Sequence, residues 1–187
     1  MTGHADSGVG STRLHPEISV AEAGGVNVLA FLDVLAWCEI GDAMLSMPET
    51  DCGYRVLVGS TPQHLRLMDD YADHPMPTDD MAIEYAPGVY STAAGRYQIL
   101  NTYWPHYKAM LDLPDFSPMS QDKYAVQQLR EQGALEALLA DDLSEAVSRT
   151  NNIWASLPGS PYGQHTHSLE QVSRVYEAAK LLLGQKR

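Results

Sequence analysis

The sequence predicts an α+β fold, mainly helical, with a small β-sheet lobe and a cleft between two lobes. Two observations predict it. A strand-like segment, Tyr54 to Val58, leads into a stretch dense in Pro, Asp and His that runs to Pro87. From Thr102 onward the pattern is helical. Strands early and helices late in one chain give this class. At 187 residues, 44% of them apolar, the chain fits one domain with a real core. Residues 1–24 are polar, Gly-rich and interrupted by Pro16, and are expected to form a flexible N-terminal extension. Residues 25–187 form the single folded domain.

The first helix is expected over Asn27 to Trp37. Gly24-Gly25 breaks the chain before it, Asn27 is the expected N-cap, and Gly41 lies just past the end. Val28, Phe31, Leu32 and Leu35 fall at the i, i+3, i+4, i+7 spacing of one buried face, which leaves Asp33 for the solvent side. The following loop, Ile40 to Asp51, carries Met44, Leu45 and Met47. It either closes over a cleft or packs on the other lobe. Further on, Ser117-Pro118 starts a helix that Gly133 ends. Another is expected from Asp142 to Trp154. The last opens on a capping box, Ser168 with Gln171, and Gly184 is its expected stop.

Two features carry chemistry. Glu39 lies four residues beyond Leu35 and so extends the apolar stripe. A carboxyl at the edge of an apolar surface is desolvated, which favours its protonated form, and a general acid near neutral pH needs that. A half-exposed glutamate ending an ordinary helix has the same spacing. The second feature is Ser91-Thr92-Ala93-Ala94-Gly95-Arg96-Tyr97-Gln98. Its small residues let the backbone bend tightly and let another group approach. Arg96, Tyr97 and Gln98 then supply a planar cation, an aromatic face and an amide, which suit a polar, ring-shaped ligand such as a sugar.

Ordered segments add to this. Ala30 to Glu39 resembles the start of the lambda-type phage endolysins. Tyr54 to Gly59, Tyr71 to Pro75 and Ser91 to Gln98 follow in that family's order. So do Asp115 to Asp122, Asn152 to Gly159 and Tyr162-Gly163-Gln164. The resemblance runs from about residue 27 to 183 and implies a lysozyme-like fold. It also implies lytic transglycosylation of peptidoglycan at the MurNAc-β-1,4-GlcNAc bond. Glu39 matches the family's single catalytic glutamate. It would protonate the leaving oxygen, then accept a proton from the muramic 6-hydroxyl as that group closes a 1,6-anhydro ring. Ser91, Tyr97, Gln98, Tyr162 and Gln164 are the expected substrate contacts, and Arg96 is expected to hold the lobes together through an ion pair. Asp73-His74 is expected to serve as scaffold and Trp154 as core.

One carboxylate suffices when the nucleophile belongs to the substrate. Ordinary glycosidases use two, about 5–5.5 Å apart for retention or about 6.5–9.5 Å for inversion. A second phage lysozyme class places an Asp or Cys nine residues after its glutamate and a Thr six later; here Pro48 and Tyr54 stand there. Asp42, Glu49 and Asp51 still follow Glu39, so a muramidase with a second carboxylate stays open. Two readings from other classes also stay open: a non-catalytic peptidoglycan-binding module, and a structural phage protein that uses its N-terminus as an attachment arm.

Twelve basic against 24 acidic residues give a net charge of −12 without a basic patch, which argues against nucleic acid. The charge offers no attraction to anionic lipid or a carboxylate-rich wall. No apolar signal segment opens the chain, and the first helix is too short to span a bilayer. The expected protein is therefore a monomer held in the host cytoplasm, without stable membrane association, and released to the periplasmic peptidoglycan through a holin lesion. Cys38 and Cys52 are expected to be free thiols, since the chain is expected to be made in the cytosol; a disulfide between them in an oxidising periplasm, which would lock or distort the cleft, stays open. No cofactor is expected, and the seven histidines, His165-Thr166-His167 among them, lack a recognised metal-ligand spacing.

Overall fold

A computed structural model describes residues 15–162 and 166–185. Helix α1 (Val20–Ala23) leads into α2 (Val26–Ile40), followed by a short α3 (Asp42–Leu45). A long irregular stretch then carries a two-stranded antiparallel hairpin, β1 (Ile83–Ala86) and β2 (Val89–Ser91). The rest is helical: α4 (Trp104–Met110), α5 (Pro118–Glu131), α6 (Ala134–Leu139), α7 (Leu143–Thr150) and α8 (Leu169–Gly184). The mainly helical α+β class with a small sheet lobe holds.

Helix α2 is the axis of the molecule. Eleven of its fifteen residues are buried, on every side rather than along one stripe, because α8, α6 and α5 pack around it. A helix surrounded in this way has no solvent face, which corrects the reading of Asp33. That side chain is buried and accepts from the Arg96 guanidinium at 2.5 Å and pairs with His15 at 2.8 Å. Asn27 is not the N-cap, since Gly25 stands there; its amide instead donates to the Leu138 carbonyl at 2.9 Å. Gly41 does end the helix, at φ 84°.

Four further expectations need correction. Tyr54 to Val58 is not a strand: it forms isolated bridges, Val56 to Leu67 and Leu57 to Ala94. The hairpin lies later, at Ile83 to Ser91. Helix α7 stops at Thr150 rather than Trp154, with Asp142 as its N-cap. Residues 15–24 are not a loose extension. Ile18 and Ala23 are buried, and the Glu17 and Ile18 amides donate to Asp122 on α5 at 2.6 and 2.9 Å. The Ser168–Gln171 capping box forms as expected, whereas Gly184 is the last residue of α8 rather than its stop.

Candidate active site

Glu39 sits in the last turn of α2 and lines a cleft of about 280 Å³. Its half-buried side chain faces Tyr97 and Gln98 from the small-residue turn, Tyr85 from the hairpin, and Ile153 and Trp154 from beyond α7. Burial pushes its carboxyl above the usual range, and hydrogen bonding from Ser156 pulls part of that shift back. The neighbouring Cys38 thiol is pushed up to about 12 by burial and by the Glu39 charge. It is thus protonated and inert. Both cysteines are buried, and neither is in a disulfide.

The turn that follows β2 is held tightly. Gly95 has φ 77°, and a Cβ placed there would meet Gln121 Oε1 at 2.1 Å. Only a residue without a side chain fits. Gln121 then grips three backbone segments: it accepts from the Arg96 amide at 2.9 Å and donates to the Tyr54 and Phe116 carbonyls at 3.1 and 2.9 Å. Arg96 ties the turn to α2 through Asp33, as the ion-pair expectation requires. Tyr97 lies in the cleft wall but spends its hydroxyl on Asp122, donating at 2.6 Å, so only its ring remains for a ligand. Ser91 and Gln98 line the same cleft, although Gln98 donates its amide to the Gly95 carbonyl at 3.0 Å.

The cleft continues into a groove of about 540 Å³; the two share Leu100, Tyr103, Tyr124, Ile153 and Ala155. Tyr162 lines this second part, 57% exposed, with its hydroxyl donating to the Asn152 carbonyl at 2.7 Å. Tyr103 is 53% exposed at the junction. Rings pinned in this way present flat apolar faces to a ligand. Gln164 lies outside the described residues. Sequence reasoning missed Tyr85, Tyr103, Tyr124 and Ser156 at this site. Ser156 alone stood in a segment singled out beforehand; the tyrosines carried no local signal.

Neither the cleft nor the groove, among the described residues, has a second acid. Asp42 lines a different cavity behind α2, with Leu45 and Ser46. Asp51 accepts from the Tyr71 hydroxyl at 2.7 Å, and Glu49 is exposed away from the cleft. The loop after Glu39 therefore packs on the far side of the helix rather than over the cleft. Asp73 holds Trp104 Nε1 at 2.7 Å and Lys108 at 2.8 Å, and His74 is buried beside it, as scaffold. Trp154 is buried and donates its indole N–H to the Tyr97 carbonyl at 3.2 Å.

Known proteins resemble this chain in sequence and in fold. Residues 29–181 match the Endolysin family model. The endolysin of Escherichia phage P2 is 45% identical over 155 residues, which is 82% of this chain and 92% of that one. That of Escherichia phage lambda is 42% identical over 150 residues, 80% and 89% of the two. Among solved structures, bacteriophage lambda lysozyme complexed with a chitohexasaccharide matches with a TM-score of 0.69 and 41% identity, covering 80% of this chain and 91% of that one. Another lambda lysozyme structure gives 0.70 at 38% identity, covering 83% and 94%. The fold is thus lysozyme-like, and the chain belongs to the endolysin family.

Proposed function

We propose that this chain is a peptidoglycan-cleaving endolysin that cuts the MurNAc-β-1,4-GlcNAc bond by lytic transglycosylation. The observation that carries the reading is that Glu39 is the one carboxylate among the described residues lining the cleft and its groove. Protonated Glu39 delivers its proton to the glycosidic oxygen as the bond to the muramic anomeric carbon breaks, and the electron pair leaves with that oxygen. The resulting carboxylate takes the proton of the muramic 6-hydroxyl. Oxygen 6 then bonds to the anomeric carbon and closes the 1,6-anhydro ring. No water is consumed, and no second carboxylate is needed to activate one.

The desolvated setting of Glu39 supports its role as acid, and the tyrosine faces along the groove support a glycan strand as occupant. A chitohexasaccharide on the similar lambda lysozyme supports the same occupant. Tyr97, Gln98 and Ser91 form the wall against the sugar, with Tyr162 contacting it farther along; Gln164 is kept as a substrate contact. The enzyme acts as a monomer in host lysis, waiting in the host cytoplasm and reaching the periplasmic peptidoglycan through a holin lesion. No described helix is long and apolar enough to cross a membrane.

Glu39→Gln tests the acid. It should bind purified sacculi as the parent does, yet clear them more slowly by at least the roughly 10²–10⁴-fold typical of one acid–base group. Undiminished clearing would contradict the assignment.

A further inference from the structure

Ser156 is 117 residues from Glu39 in sequence, and its hydroxyl donates to Glu39 Oε1. Ser156 acts on that carboxyl chiefly through its hydroxyl and, to a smaller extent, through its backbone. The loop that carries Ser156 is clamped on two sides. Trp154 fastens it to the small-residue turn through the Tyr97 carbonyl at 3.2 Å. The His167 amide donates to the Ser156 carbonyl at 3.1 Å, while the His167 ring stacks on Trp37 of α2 with centroids 4.1 Å apart. Within the loop, Leu157 is fully buried, its amide bonds the Trp154 carbonyl at 3.1 Å, and Asn151 holds the Pro158 carbonyl at 3.0 Å.

We infer that Ser156 is a positioning residue for the proposed cleavage: its hydroxyl fixes the Glu39 carboxyl so that Oε2 carries the mobile proton. This rests on the reading of Glu39 as the acid. A hydroxyl donating to Oε1 is compatible with both protonation states, since that oxygen accepts as the carbonyl of the acid and as part of the carboxylate. The proton therefore resides on Oε2 in the acid, and returns to Oε2 when the muramic hydroxyl gives it up. A carboxyl free to rotate would offer the proton from either oxygen and in many directions, and misplacement by about 1 Å can cost about 10²-fold in rate.

The bond also sets the acid's strength. It stabilises the carboxylate more than the acid, so it offsets part of the upward shift that burial imposes. Among the titratable groups around this bond, His167 lies against Trp37 and donates its amide to the Ser156 carbonyl. On α2 the adjacent titratable group is Cys38. From the hairpin, the turn and the two helices, the cleft receives only Tyr85, Tyr97, Tyr103 and Tyr124, and no cation among the described residues.

The test compares Ser156→Ala, Ser156→Thr and Glu39→Gln on purified sacculi, with circular dichroism and thermal unfolding for each. Ser156→Ala should fold as the parent, lose roughly 10–100-fold in kcat with KM unchanged, and move the alkaline limb of kcat/KM to higher pH. Ser156→Thr, which keeps the hydroxyl, should restore both the rate and the limb. A folded Ser156→Ala protein with parental kcat and limb, while Glu39→Gln is inactive, overturns the role of Ser156 and leaves Glu39 standing. An equal loss in folded Ala and Thr variants overturns it too, since the hydroxyl would then not be the cause. Full activity in Glu39→Gln removes the acid itself and this inference with it.

Discussion

Glu39 and Asp33 lie six residues apart on one helix, and their side chains meet different partners. Asp33 is met by Arg96 and His15, so its charge is paired where it stands. Glu39 meets a hydroxyl, apolar walls and aromatic rings, and burial holds its proton on. The sign of the pH dependence follows. A group that must be protonated to act gives full kcat/KM below its pKa and loses it as pH rises through that value. Because burial raises the Glu39 pKa, activity should persist to a pH clearly above the unperturbed glutamate value of about 4.3 and fall at higher pH. A kcat/KM profile on sacculi whose alkaline limb sits at the unperturbed value would contradict this environment. The desolvation of Glu39 was legible in sequence because the helix that carries it is apolar almost throughout. Asp33 was misread because the stripe picture assumes a solvent face that α2 lacks. Ser156 was not legible as a partner of Glu39, since only the tertiary fold brings residues 117 positions apart together.

Local signals placed the elements where chemistry is local and failed where pairing is distant. The Ser168–Gln171 box and the Pro118 start of α5 were readable because each is satisfied within a few residues. Tyr54 to Val58 looked like a strand by composition, but its partners, near Leu67 and Ala94, allow only single bridges. The hairpin itself has a register shift between Glu84 and Ala86, and the displaced residue, Tyr85, reaches the cleft. The small-residue turn was read correctly, with a sharper reason than flexibility: Gly95 leaves room for Gln121. Gly95→Ala should therefore destabilise the protein by about 1–3 kcal/mol from backbone strain alone, and by more because the Cβ meets Gln121. Urea unfolding measures this. A stability equal to the parent's would show that the Gln121 clamp is not fixed as described.

At the scale of the molecule, two helical and loop layers meet along α2, and the cleft opens where that helix ends. The single-domain size and mainly helical class were open to inspection in the sequence. The packing of residues 15–24 was not, because its anchor is a distant carboxylate, Asp122, which also takes the Tyr54 and Tyr97 hydroxyls at 2.7 and 2.6 Å. Those residues precede the family match, which begins at residue 29, and through Asp122 they brace Tyr97 in the cleft wall from behind. The cleft in front has one described acid, and the chemistry proposed for it turns on that fact. Mass spectrometry of muropeptides released from purified Gram-negative sacculi tests it most directly. Fragments ending in 1,6-anhydromuramic acid, one water lighter than reducing ends, are the predicted result; reducing muramic ends would contradict transglycosylation and require a second carboxylate or an activated water at Glu39.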